Sequence, residues 1–256
     1  MGDLRRAAAV VSAAQAEEAR AAMISLFPGG FEEVERDGRV ELAAYTDAAG
    51  EEALRGAFRD VRAEPVEDGW EDRWREFHRP VRIGELWIGP PWLPPDEGSL
   101  AVVIDPGRAF GTGAHPSTRL ALGLLAVQPR GSLLDVGCGS GVLSIAAARL
   151  GFAPVIALDS DPLAVEAARE NAARNGVSLD VRLADALSGE LPAADVAVAN
   201  IALAPVEALG PRLCAGVLVA AGYLATDEPA VPGFRRAGRA VEGEWAADVF
   251  LREKQP

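Results

Sequence analysis

The amino-acid sequence predicts an α/β fold, in which a mostly parallel sheet is covered by helices on both faces and is preceded by a small α+β domain. From about residue 100 onward, continuous apolar segments alternate with segments of helical spacing. Apolar runs of this kind are typical of strands that are buried on both faces of a parallel sheet. Hydrophobic residues make up 49% of the 256 residues, which is enough for a sizeable core.

Residues 1–65 predict the smaller domain through the order of their elements. Strand-like and helix-like segments follow one another as strand, helix, strand, strand, helix and strand: AAAVVSA, AEEARAAMISLF, FEEVER, RVELAAYTD, GEEALRGAF and VRAEPVED. Pro28-Gly29-Gly30 interrupts the first helix, and Asp37-Gly38 is typical of a hairpin turn between the two middle strands. This order is that of a split βαβ, ferredoxin-like unit.

Residues 66–98 differ from both neighbours and predict a linker. The segment WEDRWREFHRPVRIGELWIGPPWLPPDEG carries four of the five tryptophans and many of the prolines. Prolines interrupt regular structure, whereas tryptophans are costly to leave exposed. We therefore expect a linker that packs between the flanking domains around an aromatic core of its own. The alternative is a wall beside a substrate site.

Residues 99–256 predict the larger domain. Its strands and helices alternate in the order LLDVG, GVLSIAAARLG, VIALD, PLAVEAARENAARNG, LDVRLAD, ADVAVANI, PVEALGPRLC and GVLVAAGYL. The next segment, ATDEPAVPGF, holds two prolines and is too short for more than a turn, so one face of the sheet lacks a covering helix. GFRRAGRAVEGEWAADVFLR then predicts a terminal β-hairpin.

Composition excludes several classes of function. A formal net charge of −13 argues against direct binding to a nucleic-acid backbone and suits a basic protein or a cationic small molecule, although it can also serve solubility alone. The two cysteines and two histidines predict neither a disulfide framework nor a metal site. Arg5 and Arg6 before AAAVVSAA loosely resemble a secretion signal, but a first strand explains these residues better. No apolar run approaches a membrane span, and we expect a cytoplasmic protein.

The segment LLDVGCGSGVLSIAAARLG predicts a nucleoside site. Gly137, Gly139 and Gly141 follow a buried strand and precede a helix, and Asp159 ends the next strand 22 positions after Gly137. Glycines allow close approach of a ligand, and such an acid accepts hydrogen bonds from ribose hydroxyls. The third glycine of a dinucleotide motif would fall at Val142, so the spacing disfavours a pyrophosphate. Asp135 in the same turn favours a cationic ligand such as S-adenosylmethionine; a tight connection without a ligand is the bland alternative.

The motifs DVGCGSG and LDSDP resemble those of class I methyltransferases. With FGTGAHPSTRLAL, the tryptophan-rich segment, VANI and EGEW, the chain resembles the PrmA family. The resemblance implies a Rossmann-like methyltransferase domain over residues 99–256 that binds S-adenosylmethionine. It also implies a substrate-recognition domain over residues 1–65. The expected reaction is methylation of amino groups, on lysine side chains, the N-terminus or both, of a basic large-subunit ribosomal protein, and we expect a monomer or weak dimer.

The same resemblance implies which residues contact the cofactor. They are Thr118, Gly137, Gly139, Asp159 and Asn200, with Phe110 and His115 as weaker candidates. His115 is equally well explained as a residue that caps the following helix. Asp185, at the end of the third strand of the sheet, either accepts from the adenine amino group or is an exposed acid.

Asn200 is also the candidate catalytic residue. It closes the apolar strand ADVAVAN at the carboxyl edge, where ligands of open α/β sheets bind. Its carbonyl oxygen would accept from an incoming amine and orient the nitrogen lone pair. The alternative is a structural role, in which the Asn200 amide forms hydrogen bonds with backbone groups at the strand end.

Three other functions stay open at this point. A methyltransferase for a small molecule is one, but the separate domain over residues 1–65 is superfluous for a tiny acceptor. A nicotinamide-dependent oxidoreductase is disfavoured by the missing third glycine. The last is a catalytically silent binding module with the same fold.

Overall fold

The computed structural model describes residues 5–12, 15–27, 31–36, 38–65, 79–105 and 113–253. The chain divides into two compact units, residues 1–77 and 78–256. Each unit is described by itself.

The first unit is a four-stranded antiparallel sheet with two helices. Its elements are β1 (Arg5–Ser12), α1 (Ala16–Leu26), β2 (Glu32–Arg36), β3 (Arg39–Thr46), α2 (Ala48–Ala57) and β4 (Val61–Pro65). The strand order is β2-β3-β1-β4, with β1 between β3 and β4. This topology confirms the ferredoxin-like order predicted from the sequence.

The core of the first unit lies between the sheet and the two helices. Ala7 and Ala9 of β1 and Leu42 of β3 are fully buried, in keeping with the two-residue period of a strand with one apolar face. Met23 of α1 and Leu54 of α2 complete this cluster. Helix α2 begins after Asp47, whose carboxylate accepts from two backbone N–H groups of the first turn.

The second unit contains a seven-stranded sheet and a small three-stranded sheet. Its strands are β5 (Val81–Ile83), β6 (Leu86–Gly89), β7 (Leu100–Val103), β8 (Leu133–Val136), β9 (Val155–Asp159), β10 (Asp180–Leu183), β11 (Ala194–Asn200), β12 (Ala215–Leu224), β13 (Phe234–Glu242) and β14 (Trp245–Arg252). Its helices are α3 (Pro116–Ala126), α4 (Val142–Leu150), α5 (Pro162–Asn175) and α6 (Leu203–Leu209). The large sheet has the order β10-β9-β8-β11-β12-β14-β13.

Five strands of the large sheet, β8 to β12, are parallel, and the hairpin β13–β14 adds two antiparallel strands. This arrangement confirms the predicted Rossmann-like α/β fold and the terminal hairpin. One face is buried mainly by α3 and α4, and the other by α6 together with Val231 and Phe234. As predicted, residues 225–233 between β12 and β13 form no helix.

The predicted linker over residues 66–98 is not a separate segment along its whole length. Residues 66–78, with two of its tryptophans, lie outside the described part of the chain. Residues 81–89 contain β5 and β6, which pair with each other, and β6 also pairs with β7. Leu86, Trp87 and Ile88 are at most 1% exposed, because this apolar run is a core strand of the second unit. Of the prolines that suggested a linker, Pro80 directly precedes β5 and the other four lie in the loop that follows β6.

No helix in the described ranges is both long and apolar enough to cross a membrane.

Candidate active site

The turn after β8 requires glycine at residue 137. Gly137 has a φ of 74°, and a Cβ added there would lie 2.5 Å from Cγ2 of Ile201. Its N–H and that of Cys138 both donate to the carbonyl of Leu158 in β9, at 2.8 and 3.0 Å. The turn is therefore fixed against β9 on one side and against the residue that follows Asn200 on the other.

Asp159 contacts this turn directly. Its Oδ2 accepts from the N–H of Gly139 at 2.9 Å, and its Oδ1 accepts from the N–H of Asp161 at 3.0 Å. A carboxylate has about four lone-pair positions, so two remain for a ligand. The structure thus brings together the glycines and the strand-end acid that the spacing predicted.

Asp135 is a fully buried carboxylate beside the turn. Its Oδ2 accepts from the Ser144 hydroxyl at 2.5 Å, whereas its Oδ1 has no hydrogen-bond donor among the described residues. Burial, and to a smaller extent the negative charge of Asp159, raise the pKa of Asp135 to about 7, although the hydrogen bond from Ser144 acts in the opposite direction. Burial and the carboxylates of Asp135 and Asp159 raise the pKa of the Cys138 thiol far above its usual range, which favours the protonated, unreactive thiol.

Asn200 and Thr118 meet at the carboxyl end of β11. The amide Nδ2 of Asn200 donates to Oγ1 of Thr118 at 3.1 Å, although the two residues are 82 positions apart. Thr118 lies in the first turn of α3 and is 1% exposed. Because the nitrogen is committed to Thr118, the carbonyl oxygen of Asn200 is left to accept from another group; no described residue donates to it.

The backbone after Asn200 is held tightly against β12. The N–H of Ile201 donates to the carbonyl of Ala221 at 3.0 Å. The next residue in β12 is Gly222, which has a φ of 100° and lies at an irregularity in the pairing of β12 with β14. A Cβ there would lie 2.4 Å from the carbonyl oxygen of Ile201, so only glycine permits this approach.

His115 caps α3. Its Nδ1 accepts from the N–H of Ser117 at 3.3 Å, and its ring meets the edge of the Trp245 ring with 4.5 Å between centroids. Burial and the charge of Arg119 lower the pKa of His115, which favours the neutral imidazole. These contacts match the capping alternative for His115 and leave its part in cofactor binding a prediction.

The turn of the β13–β14 hairpin contacts the start of α3. Arg119 Nε donates to Oε2 of Glu242 at 3.2 Å, and Arg119 Nη2 donates to Oε1 of the same carboxylate. The third donor of the fork, Nη1, reaches the carbonyl of Ala114. The EGEW motif therefore contacts the first turn of α3, which contains Thr118.

The structure gives no ligand contact to the remaining candidates, so their roles stay predictions. Asp185 is exposed, and its carboxylate accepts from Leu187 N–H at 2.9 Å and from the Ser188 hydroxyl at 2.8 Å, which closes a local turn. Phe110 lies outside the described residues. Within the described ranges no group of three or more His, Cys, Asp or Glu side chains is placed to hold a metal ion.

Comparison with known proteins identifies the family. The family model described as Ribosomal protein L11 methyltransferase (PrmA) matches residues 9–236 of the chain. The chain belongs to the PrmA family.

Individual PrmA relatives and a solved structure are similar over much of the chain. A ribosomal protein L11 methyltransferase of Symbiobacterium thermophilum is 41% identical over 198 residues, covering 73% of this chain and 63% of the relative. That of Yersinia pseudotuberculosis serotype O:1b is 46% identical over 182 residues, covering 66% and 62%. The chain thus spans slightly less than two thirds of the length of these relatives.

A solved structure from the same group agrees with this assignment. The crystal structure of the ribosomal protein L11 methylase of Lactobacillus delbrueckii subsp. bulgaricus superposes with a TM-score of 0.58 at 28% identity, covering 69% of this chain and 100% of that chain.

Two buried asparagines of this PrmA chain were missed by sequence reasoning. Asn171 and Asn175 of α5 are 2% and 6% exposed, and both amides bond to the backbone at β7. Their spacing places them on the same face of α5 as Ala164, Ala168 and Ala172. That shared face was the available signal, since a polar residue in the apolar stripe of a helix requires a partner.

Proposed function

We propose that this chain is an S-adenosylmethionine-dependent N-methyltransferase that modifies amino groups of ribosomal protein L11. Lysine side chains, the N-terminus or both are the expected acceptors. The names of the relatives support the substrate. The observation that carries the reaction type is the orientation of Asn200, whose carbonyl oxygen is available at the carboxyl edge of the sheet while its nitrogen is bonded to Thr118.

The turn over residues 137–141, called the glycine turn below, and the residues around it fit S-adenosylmethionine. Asp135 has a buried oxygen without a donor in the described part of the chain, and a cationic ligand satisfies such an oxygen. Asp159 retains acceptor positions for ribose hydroxyls, and the glycine turn allows close approach. Two carboxylates at this turn disfavour a pyrophosphate. S-adenosylmethionine, when bound, supplies an electrophilic methyl group on a positively charged sulfur.

The chain's own residues contribute mainly orientation. The Asn200 carbonyl accepts an N–H of the incoming amine, and the Thr118 hydroxyl keeps the amide in the orientation that makes this possible. Holding two reactants in productive geometry is worth roughly 7–11 kcal/mol in favourable cases. A lysine ammonium with a pKa of about 10.4 must first lose its proton, so the rate is expected to rise with pH across the neutral range.

The charge of the chain fits a basic protein acceptor. The net charge of −13 attracts a cationic surface and disfavours direct contact with ribosomal RNA. We assign substrate recognition to the ferredoxin-like unit, by resemblance to the family. A ribosomal substrate favours a cytoplasmic enzyme, and we expect it to act as a monomer or weak dimer.

The test is incubation of the full chain with isotopically labelled S-adenosylmethionine and purified ribosomal protein L11, followed by mass spectrometry of the products. The expected result is labelled methyl groups on lysine side chains, the N-terminus or both, with strongly reduced labelling by Asn200→Ala. Cofactor binding without transfer to the protein would favour a small-molecule acceptor. Larger thermal stabilisation by NAD than by S-adenosylmethionine would favour an oxidoreductase.

A further inference from the structure

The outer edge of β7 is bonded to side chains instead of to another strand. On its inner edge, the N–H groups of Leu100 and Ile104 donate to carbonyls of residues 85 and 89 beside and in β6, at 2.8 and 2.9 Å. On its outer edge, the residues whose backbone groups are bonded are Ala101, Val103 and Asp105.

Three side chains of α4 and α5 supply the outer bonds. Arg149 Nε donates to the carbonyl of Ala101 at 3.1 Å. Asn175 accepts from the N–H of Val103 at 2.8 Å and donates to its carbonyl at 2.7 Å, as a neighbouring strand would. Asn171 Oδ1 accepts from the N–H of Asp105 at 3.1 Å.

Asn171 differs from Asn175 in what its nitrogen contacts. Asn171 Nδ2 donates to the carbonyl of Ser140 at 3.0 Å, and Ser140 lies in the glycine turn with 1% exposure. Asn175 Nδ2 bonds only to Val103 and to Asn171 of its own helix among the described residues. The Asn171 amide therefore connects the glycine turn with the backbone just after β7, whereas the Asn175 amide, one helical turn later, bonds to β7 and to its own helix.

We propose that Asn171 is a positioning residue for the cofactor, acting through Ser140 on the glycine turn. This role rests on the proposed function, because it presumes that the turn binds S-adenosylmethionine. The N–H of Gly139, next to Ser140, is the group that contacts Asp159. Removal of the donor to Ser140 deletes one of the contacts that hold the turn against α5, and the Gly139–Asp159 contact at the predicted ribose site then becomes more variable.

The experiment compares the two asparagines in the full chain. Asn171→Asp and Asn175→Asp each keep the size of the side chain and the acceptor oxygen, and each remove the amide donor. Dissociation constants for S-adenosylhomocysteine are measured by calorimetry and unfolding midpoints by circular dichroism, with Asn171→Ala and Asn175→Ala as a second pair.

We expect variants at positions 171 and 175 to differ in cofactor affinity and to be similar in stability. Asn171→Asp should raise the dissociation constant for S-adenosylhomocysteine by about tenfold, the size expected for the loss of one fixed hydrogen bond. Asn175→Asp should change this constant by less than about twofold, although it lowers the unfolding midpoint by a similar amount. With labelled methyl donor, KM for the donor should rise at position 171 while kcat changes little.

Four results overturn the proposal, and they distinguish its failure from failure of the proposed function. Equal affinity losses at positions 171 and 175, or a lower midpoint at 171 with unchanged affinity, reduce Asn171 to a structural residue and leave the proposed function intact. Failure of the unmodified chain to bind S-adenosylhomocysteine overturns the proposed cofactor and this role with it. If both Asn171 variants fail to fold while both Asn175 variants fold, the amide serves the fold and the positioning role is rejected.

Discussion

The glycine turn after β8 and the polar pair at the end of β11 adjoin at one edge of the sheet but are built differently. The turn is held by backbone groups and by Asp159, which is only 20 positions from its partner Gly139. The pair depends on side chains far apart in sequence: Thr118 and Asn200 are separated by 82 positions, and Arg119 and Glu242 by 123. The predicted ligand site is thus formed by residues close together in sequence, whereas the proposed orientation of the acceptor depends on tertiary contacts.

The largest effect is expected at the turn, from Gly137→Ala. Its positive φ costs about 1–3 kcal/mol for a residue with a side chain, and the added Cβ collides with Ile201 at 2.5 Å. S-adenosylhomocysteine binding, measured by calorimetry, should be lost, and the free energy of unfolding should fall.

Gly151→Ala is the matched control for the turn. Gly151 has a φ of 97° but no atom within 4 Å of the added Cβ, so it carries the backbone strain without the collision. We expect it to lose about 1–2 kcal/mol of stability and to bind normally. Equal binding losses in the two variants would show that the close approach at Gly137 does not matter.

The second effect tests the polar pair through Asn200→Ala. Misplacement of a reacting group can cost about a hundredfold, and we expect a fall in kcat of that order under single-turnover conditions. Thr118→Val should reproduce part of the loss, because the amide loses its hydroxyl partner, while Thr118→Ser should retain activity. An active Asn200→Ala variant would remove the orienting role from the pair.

The third effect concerns Asp135 and its pH dependence. Because its folded pKa, about 7, lies above that of a free aspartate, the folded chain binds more protons than the unfolded chain between about pH 4 and 7. The contribution of this group to stability is therefore full at low pH and is lost as the pH rises through 7. Asp135→Asn should remove this slope in thermal melts of the ligand-free protein.

The same substitution should weaken cofactor binding. A charged hydrogen bond is worth about 1.5–3 kcal/mol, so Asp135→Asn should raise the dissociation constant for S-adenosylhomocysteine by roughly tenfold or more at pH 7.5. In the unmodified chain, affinity should increase as the pH rises from about 6 to 7.5 and the carboxylate forms. Unchanged affinity of the Asp135→Asn variant would show that Asp135 does not contribute to cofactor binding.

The smallest effect is expected from Glu242→Gln at the hairpin turn. Its ion pair with Arg119 is partly exposed, and such pairs contribute about 0.2–1 kcal/mol. We expect a stability loss in that range and a rise in KM for the methyl donor of about twofold, measured by steady-state labelling. Asp180→Asn, which breaks an exposed pair within β10, should leave KM unchanged.

Most of the fold was predictable because it follows from periodicity. The alternation of apolar strands and helices from residue 133 onward, and the order of elements in residues 5–65, both reappear in the structure. The exception is β6: LWIG is only four residues long and lies among glycines and prolines, and its parallel partner β7 begins eleven residues after it. Short strands paired over an irregular loop carry no period that distinguishes them from a linker.

The candidate site divides in the same way. Gly137, Gly139 and Asp159 follow from spacing within one βαβ unit, since the turn and the next strand end are forced together. The meeting of Thr118 with Asn200 depends on how α3 packs on the sheet, and sequence alone suggested it only through family resemblance. Asn171 was missed because an asparagine in a helix usually faces solvent, and here it is buried against backbone groups of β7 and the turn.

The bonds along the outer edge of β7 also bear on whether the folded protein aggregates at high concentration. An open strand edge is a template on which another chain adds a strand, and such edges begin aggregation. The side chains of Arg149, Asn171 and Asn175 already occupy the backbone groups of β7 on that edge. The small sheet therefore resists growth by strand addition along β7, and loss of the Asn171 and Asn175 side chains would open that edge to pairing with another chain.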